Sequence, residues 1–405
     1  MIRGLWQKGI SYGEKQAHGI DNTYFGTERL RFGAPGPLAA WHMMANSAAA
    51  LAGLQTGQWE RGMTIPATMK SGLYFGNDDV RVVERPVPEI GPNEVLASVM
   101  VCGICGSDTM KWYREPQTRK IGGINTGHEI AGRIVQVGEN VRHLRNGQRV
   151  VITHHFPCLQ CASCKDGNET ACEAMHHKHI EPGGFSQFVR IFESGISMGL
   201  YPLPDSMGYE EGSFVEPLAC VVRSLRKSGP LDGRSVLVIG SGLAGLLHIR
   251  LARSLGAGKI YAVDTNEERL QAASQSGADE VRLATDSLPT AQRVFVCTGS
   301  AAAAAKALDC IGLGGILVFF AADGPDQKLA IPLTRFWNSQ PSILFSYGAA
   351  PRDMSEALDH IAAGRVRVDG LITHRFPLSR IGEAFDLVAN PRGSLKIIIE
   401  PHRHA

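Results

Sequence analysis

The spacing of apolar and polar residues divides the chain into distinct stretches. From Met63 onward, short β-branched runs alternate with Gly and Pro: "VRVVERPVP", "EVLASVMVCG", "EIAGRIVQVG" and "QRVVITHHF". Strands of this length with turn residues between them predict a compact, β-rich domain. After Val221 the runs become nearly continuous in apolar residues: "SVLVIG", "KIYAVD", "RVFVCTG", "GILVFF" and "SILFSYG". Helical segments such as "LLHIRLARSLG" separate several of them. Apolar strands alternating with helices predict a parallel sheet covered on both faces. The tail from about residue 350 returns to helices and strands of mixed character.

Residues 1–62 lack sustained alternation, and only their Ala-rich end favours a helix, so a poorly ordered extension is expected. Within it, Gly36 to Leu54 is nineteen residues without a charged side chain. That approaches the roughly 20 residues of a membrane span. Its Ala and Gly content, with His42, Asn46 and Ser47 inside, makes insertion poor, and no membrane role is expected.

Composition narrows the picture further. A chain of 405 residues is long for one core and predicts two domains plus extras. A formal net charge of +2 with interspersed signs gives no footprint for nucleic acid or an anionic membrane. The nine cysteines follow an N-terminus that is charged early (Arg3, Lys8) and has no secretory pattern. A reducing, cytoplasmic setting is expected, with cysteines spaced for metal binding and not for disulfides.

Two kinds of chemistry stand out. The stretch "SVLVIGSGLAGLLHIRLARSLG" sets Gly240, Gly242 and Gly245 as G-x-G-x-x-G between a strand and a helix. That context predicts a dinucleotide site with the pyrophosphate at the helix N-terminus. Asp264 ends the next strand, placed to accept from a ribose 2′-hydroxyl and to repel a 2′-phosphate, which favours NAD; Arg269 lies close enough to blur that preference.

The second is metal binding. Cys158, Cys161, Cys164 and Cys172 fall within fifteen residues and match a closed, tetrahedral zinc site that folds a loop poor in apolar residues. Cys-x-x-Cys redox chemistry is the competitor, disfavoured by three interlocked pairs with no thioredoxin-like helix start. A sparser set, Cys105, His128, Glu129 and Glu216, suits an open catalytic zinc. Asp108 is typed to orient the histidine from behind.

Taken in order, "GICGSD", "GHE", the four-cysteine loop, "VEPLA" and "GSGLAG" resemble the motifs of zinc-dependent medium-chain dehydrogenases/reductases, in particular the sorbitol and threonine dehydrogenase branch. The resemblance runs from about residue 63 to the C-terminus. It implies an α/β protein with a GroES-like catalytic domain at 63–222, rejoined by 350–405, and a doubly wound Rossmann domain at 223–349. It implies one catalytic and one structural zinc, NAD, and assembly as a homodimer or homotetramer. It names Cys105, His128 and Glu129 as ligands, with Glu216 as alternative ligand or water anchor.

The reaction so implied is oxidation of a secondary alcohol, of polyol or sugar-alcohol type, to a ketone. Ser107, two residues past Cys105, is expected to accept the first proton. Departures qualify the substrate. Thr109-Met110-Lys111 stands where polyol enzymes commonly have His and Tyr, and Ser346-Tyr347 replaces a late Arg-Tyr. Met110 passes no proton, so water, a cofactor ribose hydroxyl or His154/His155 must serve, and sorbitol itself is disfavoured. A threonine-type amino or hydroxy acid dehydrogenase shares every motif. A non-catalytic zinc- and NAD-binding protein would have no need of the open ligand set. Residues 1–62 have no counterpart in the family core, whether as a leader or as sequence upstream of a start at Met63.

Overall fold

The computed structural model describes residues 65–404 apart from Gly122. The expectations for residues 1–62, including the apolar stretch Gly36 to Leu54, lie outside the described residues. Among the described residues, no helix is long and apolar enough to cross a membrane.

The β-rich part is organised around the strand Val95–Gly103, where Val95, Leu96, Ala97 and Val99 are completely buried. Each of the Val and Leu side chains contributes ~1.5–3 kcal/mol on leaving water. Glu129–Val137 lies antiparallel to it and sets Glu129 opposite Gly103. Arg149–Ile152 and Leu200–Pro202 extend the sheet outward. On the other side Lys396–Glu400 pairs antiparallel with Val95–Gly103, matching Ile398 to Gly103, and pairs parallel with Ile372–Pro377. The end of the chain therefore becomes part of the first sheet. A separate hairpin, Thr68–Gly76 with Asp79–Pro86, turns at Asn77 and Asp78, whose positive φ values of 51° and 63° suit a tight two-residue loop.

The second sheet has six parallel strands: Val236–Ile239, Ile260–Asp264, Glu280–Leu283, Ala291–Val296, Ile311–Phe319 and Ser342–Phe345. Their spatial order is third, second, first, fourth, fifth, sixth. The order reverses between the first and fourth strands, and in such sheets a ligand crevice opens there at the carboxyl ends. The third strand is absent from the pattern of apolar runs, because "EVRL" sits at the sheet edge with no fully buried side chain.

Helix Val215–Lys227 leads from the first part into the second and buries Val215, Leu218, Ala219, Val221 and Val222. It packs against Leu243–Ser254 and Pro351–Ala362. Glu216 stands in its first turn and Arg226 and Lys227 in its last, the arrangement the helix dipole favours.

Candidate active site and metal centres

Cys105 caps the short 3-10 turn Gly106–Thr109. Its backbone N–H donates to Asp108 Oδ2 at 3.0 Å, and the Ser107 N–H points at the Cys105 sulfur at 3.5 Å. His128 immediately precedes the strand Glu129–Val137. Its Nδ1 lies 2.9 Å from the Thr126 carbonyl and 3.5 Å from Asp108 Oδ1. The carbonyl accepts, so Nδ1 carries the proton and Nε2 is left for an ion.

Cys105, His128 and Glu129 each offer a ligand atom, and these three lie within 4.8 Å of one another. Burial disfavours a charged His128, yet Asp108 and Cys105 beside it outweigh that and raise its pKa well above the usual imidazole value. The pocket thus stabilises positive charge at this point. One thiolate, one imidazole and one carboxylate, with room for a further ligand, fit zinc. Asp108 is completely buried; desolvation opposes its charge, but His128, Arg114 and the Cys105 amide hold its pKa below the ordinary value.

Behind this set is a residue that the sequence motifs do not indicate. Lys396 is fully buried and its Nζ pairs with Glu129 Oε2 while donating to the Ile104 carbonyl at 3.2 Å. Gly103 makes room for the pair, since a Cβ there would collide with both side chains. Glu216 lines the same cleft but does not join the trio within 4.8 Å. Burial raises its pKa, and Cys220 Sγ donates to it at 3.6 Å.

The four-cysteine loop gathers as the spacing predicts. Cys158, Cys161, Cys164 and Cys172 bring their sulfurs within 4.8 Å of one another. The pairs Cys161–Cys164 and Cys158–Cys172 are 3.5 Å apart. Tetrahedral zinc with Zn–S of ~2.3 Å sets sulfurs ~3.8 Å apart, whereas a disulfide would need ~2.05 Å. The N–H groups of Gln160 and Cys161 pull the Cys158 thiol down to about 6, while burial pushes the Cys164 thiol up to about 12. Glu169, within the same loop, reaches Arg223 on the helix that carries Glu216.

At the glycine-rich turn, Gly240 has φ +96°, and a Cβ on Gly245 would collide with the Gly240 carbonyl. Gly242 is the N-cap of helix Leu243–Ser254. Asp264 is buried and accepts from Ser241 N–H at 2.7 Å and Asn266 N–H at 3.0 Å. The carboxylate thereby braces the turn against the second strand and keeps lone pairs for a further donor. Its side chain does not line the cleft, whereas Gly242 and Arg269 do.

One cleft of about 1640 Å³ joins the two ends of the site. Cys105, Ser107, His128, Glu129 and Glu216 line it, as do Gly242, Leu243 and Ala244 at the helix start. Met110 and Tyr347 are also on its wall, with the Tyr347 hydroxyl 3.3 Å from that of Tyr113.

Comparison with known proteins places these features in a family. Residues 91–205 match the alcohol dehydrogenase GroES-like domain, and residues 244–363 match the zinc-binding dehydrogenase domain. Sorbitol dehydrogenase of Gallus gallus is 31% identical over 343 residues, covering 80% of this chain and 93% of that protein. Sorbitol dehydrogenase of Bombyx mori is 32% identical over 352 residues, 81% of this chain and 97% of that one. Among solved structures, 2R,3R-butanediol dehydrogenase from Bacillus subtilis superposes with a TM-score of 0.72 at 26% identity, covering 82% of this chain and 100% of that one.

Proposed function

This chain belongs to the zinc-binding alcohol dehydrogenase family, and we propose that it oxidises a secondary alcohol of polyol or sugar-alcohol type to a ketone with NAD. One observation carries the reading. Cys105, His128 and Glu129 converge in the same cleft whose wall includes the start of the glycine-rich helix. A metal-binding trio and a dinucleotide cradle sharing one cleft is what hydride transfer from an alcohol needs.

When bound, zinc supplies a Lewis acid for the alcohol oxygen and the nicotinamide supplies the hydride acceptor. The chain's own residues do the rest. Asp108 and the Thr126 carbonyl fix the His128 tautomer, so that Nε2 faces the metal position. Lys396 fixes the Glu129 carboxylate and balances its charge. Ser107 lines the cleft two residues beyond Cys105, and its Oγ would accept the alcohol proton while passing its own to water or a cofactor ribose hydroxyl. Glu216 is the alternative ligand or the anchor for a water. Cys158, Cys161, Cys164 and Cys172 would hold a structural zinc, and Glu169 in the same loop ties that segment through Arg223 to the helix bearing Glu216. Asp264 favours NAD over NADP by its charge at the end of the second strand.

The same reading assigns 63–222 with 350–405 to catalysis and 223–349 to the cofactor, supported by the pairing of Lys396–Glu400 with Val95–Gly103. It places the protein in the cytoplasm, where nine unpaired cysteines are at home. It also makes the chain a homo-oligomer. Strand Ser342–Phe345 ends the six-stranded sheet, and its neighbours expose Leu313 (85%), Leu333 (77%) and Trp337 (80%). Such a sheet edge suits a second copy; light scattering that finds only monomers at micromolar concentration contradicts it.

The test of the activity is an NADH-absorbance screen over polyols, sugars, amino alcohols and simple secondary alcohols, with zinc measured on the same sample. Turnover of polyols by a zinc-loaded enzyme is expected. Zinc and NAD both bound, with no NADH from any alcohol, would overturn the reading.

A further inference from the structure

Beyond the metal trio, one wall of the cleft is built from polar rings that hydride transfer does not require. The His154 ring lies 4.9 Å from that of His128, and His155 follows at 3.5 Å with a tilt of 30°. His176 stands edge-on to His155 at 5.6 Å, and Tyr347 lies 6.1 Å beyond it. All of them line the cleft. The row therefore runs from a metal ligand to the pair of phenol hydroxyls of Tyr347 and Tyr113.

A second observation is independent of the rings. His154 Nδ1, Thr126 Oγ1 and Ser346 Oγ are buried atoms with no hydrogen-bond partner in the chain. Thr126 and Ser346 are only 8% and 5% exposed. All three residues line this same cleft. Buried polar atoms are almost always paired, and leaving one unpaired is costly. Three on one cleft indicate a ligand that supplies the partners. An imidazole nitrogen and two hydroxyls are served together by a group that both donates and accepts, and a hydroxyl does both.

A proton relay through the imidazoles fits the geometry less well. His154 and His155 overlap by their faces, and among the described residues no hydrogen bond joins one of these imidazoles to the next. Overlapping faces leave the nitrogen-bearing edges free to meet a ligand. Two cations of the cleft wall are also engaged by protein groups and are not offered to a substrate carboxylate. Arg114 is held by the Ser107 carbonyl and Asp108 and lies over the Tyr113 ring, and Lys178 is paired with Glu181.

We propose that His154, His155 and His176, with Thr126 and Ser346, form a hydroxyl-binding wall that selects an uncharged, multiply hydroxylated chain by holding the hydroxyls beyond the carbon being oxidised. This rests on the oxidation proposed above and adds to it the residues that set its substrate class.

The test compares kcat/KM for a six-carbon polyol with that for the 2-alkanol of equal length, in wild type, H155F, H155Q, H176F and H176Q. The polyol-to-alkanol ratio is expected to fall roughly five- to tenfold in each Phe variant, the scale of one lost hydrogen bond. The Gln variants keep a hydrogen-bonding amide and should retain most of the ratio. Equal losses for both alcohols, or Gln behaving like Phe, would overturn the wall. A wild type that oxidises the alkanol but no polyol also overturns it while leaving the reaction standing. A wild type that oxidises neither removes both.

Discussion

Replacing Lys396 with Met probes the ion pair that stands behind the metal site. Lys396 and Glu129 are 0% and 1% exposed, so neither charge has water to turn to. Met fills a volume close to that of the lysine stem, so repacking costs little and the loss is electrostatic. Removing one partner of a buried pair costs ~3–5 kcal/mol, because the other charge stays buried alone. The unfolding equilibrium then shifts by roughly 10²–10⁴-fold. Glu129→Gln leaves the ammonium alone and should cost a similar amount.

The double variant K396M/E129Q has no orphan charge and should lose far less than the two single losses added together. Urea unfolding of all four proteins stripped of zinc, so that the metal does not take the place of the lost partner, gives the coupling energy. A coupling above ~2 kcal/mol is expected, well beyond the ~0.5 kcal/mol within which independent sites add. Additive losses would refute the buried-pair argument. Zinc affinity gives a second readout: losing the group that orients a ligand weakens binding ~10–100-fold, so K396M should release metal to a chelator before wild type does.

Other consequences are as direct. Cys158→Ser should remove the metal held by the four-cysteine loop while the Cys105 group keeps its own, read as a loss of one zinc equivalent by elemental analysis; full zinc content would contradict a Cys₄ site. Asp264→Ala removes the acceptor that braces the glycine-rich turn and should weaken NAD binding about tenfold or more, the scale of one charge-assisted hydrogen bond, read as a Kd; an unchanged Kd would contradict that role. Glu94 is held below its usual pKa chiefly by hydrogen bonds from Arg190. A depressed carboxylate stabilises the fold above its unfolded pKa, and that stability is lost as pH falls through the folded value. Between pH ~5 and ~3 wild type should therefore lose more stability than Glu94→Gln; equal slopes in acid unfolding would contradict this.

What the sequence reveals depends on how local the signal is. The zinc loop is readable because its four ligands lie within fifteen residues and spacing alone encodes their convergence. Four of the six parallel strands are readable because buried strands must be apolar on both faces, and the edge strand Ser342–Phe345 is readable because it is apolar although partly exposed. Glu280–Leu283 escapes since an edge strand carries no such demand. The helix Lys111–Ile121 escapes for another reason: it is mostly polar and has Pro116 inside. Lys396 shows the limit most clearly. In "GSLKIIIEP" it reads as the polar start of an apolar strand. Only the pairing of that strand with Val95–Gly103 carries it to Glu129, 267 residues earlier. His176 is likewise silent in sequence, because its place in the row of rings depends on where the turn Glu173–His176 sets it.

On the proposed function, Cys105, His128 and Glu129 form the centre at which an alcohol is oxidised. Cys105→Ala tests it most directly, with NADH formation and NAD binding measured on the same preparation. Turnover of the best polyol should fall by at least ~10³-fold, the loss expected when a group acting on transition-state charge is removed, while NAD still binds within about threefold. Turnover in Cys105→Ala equal to that of wild type would contradict it.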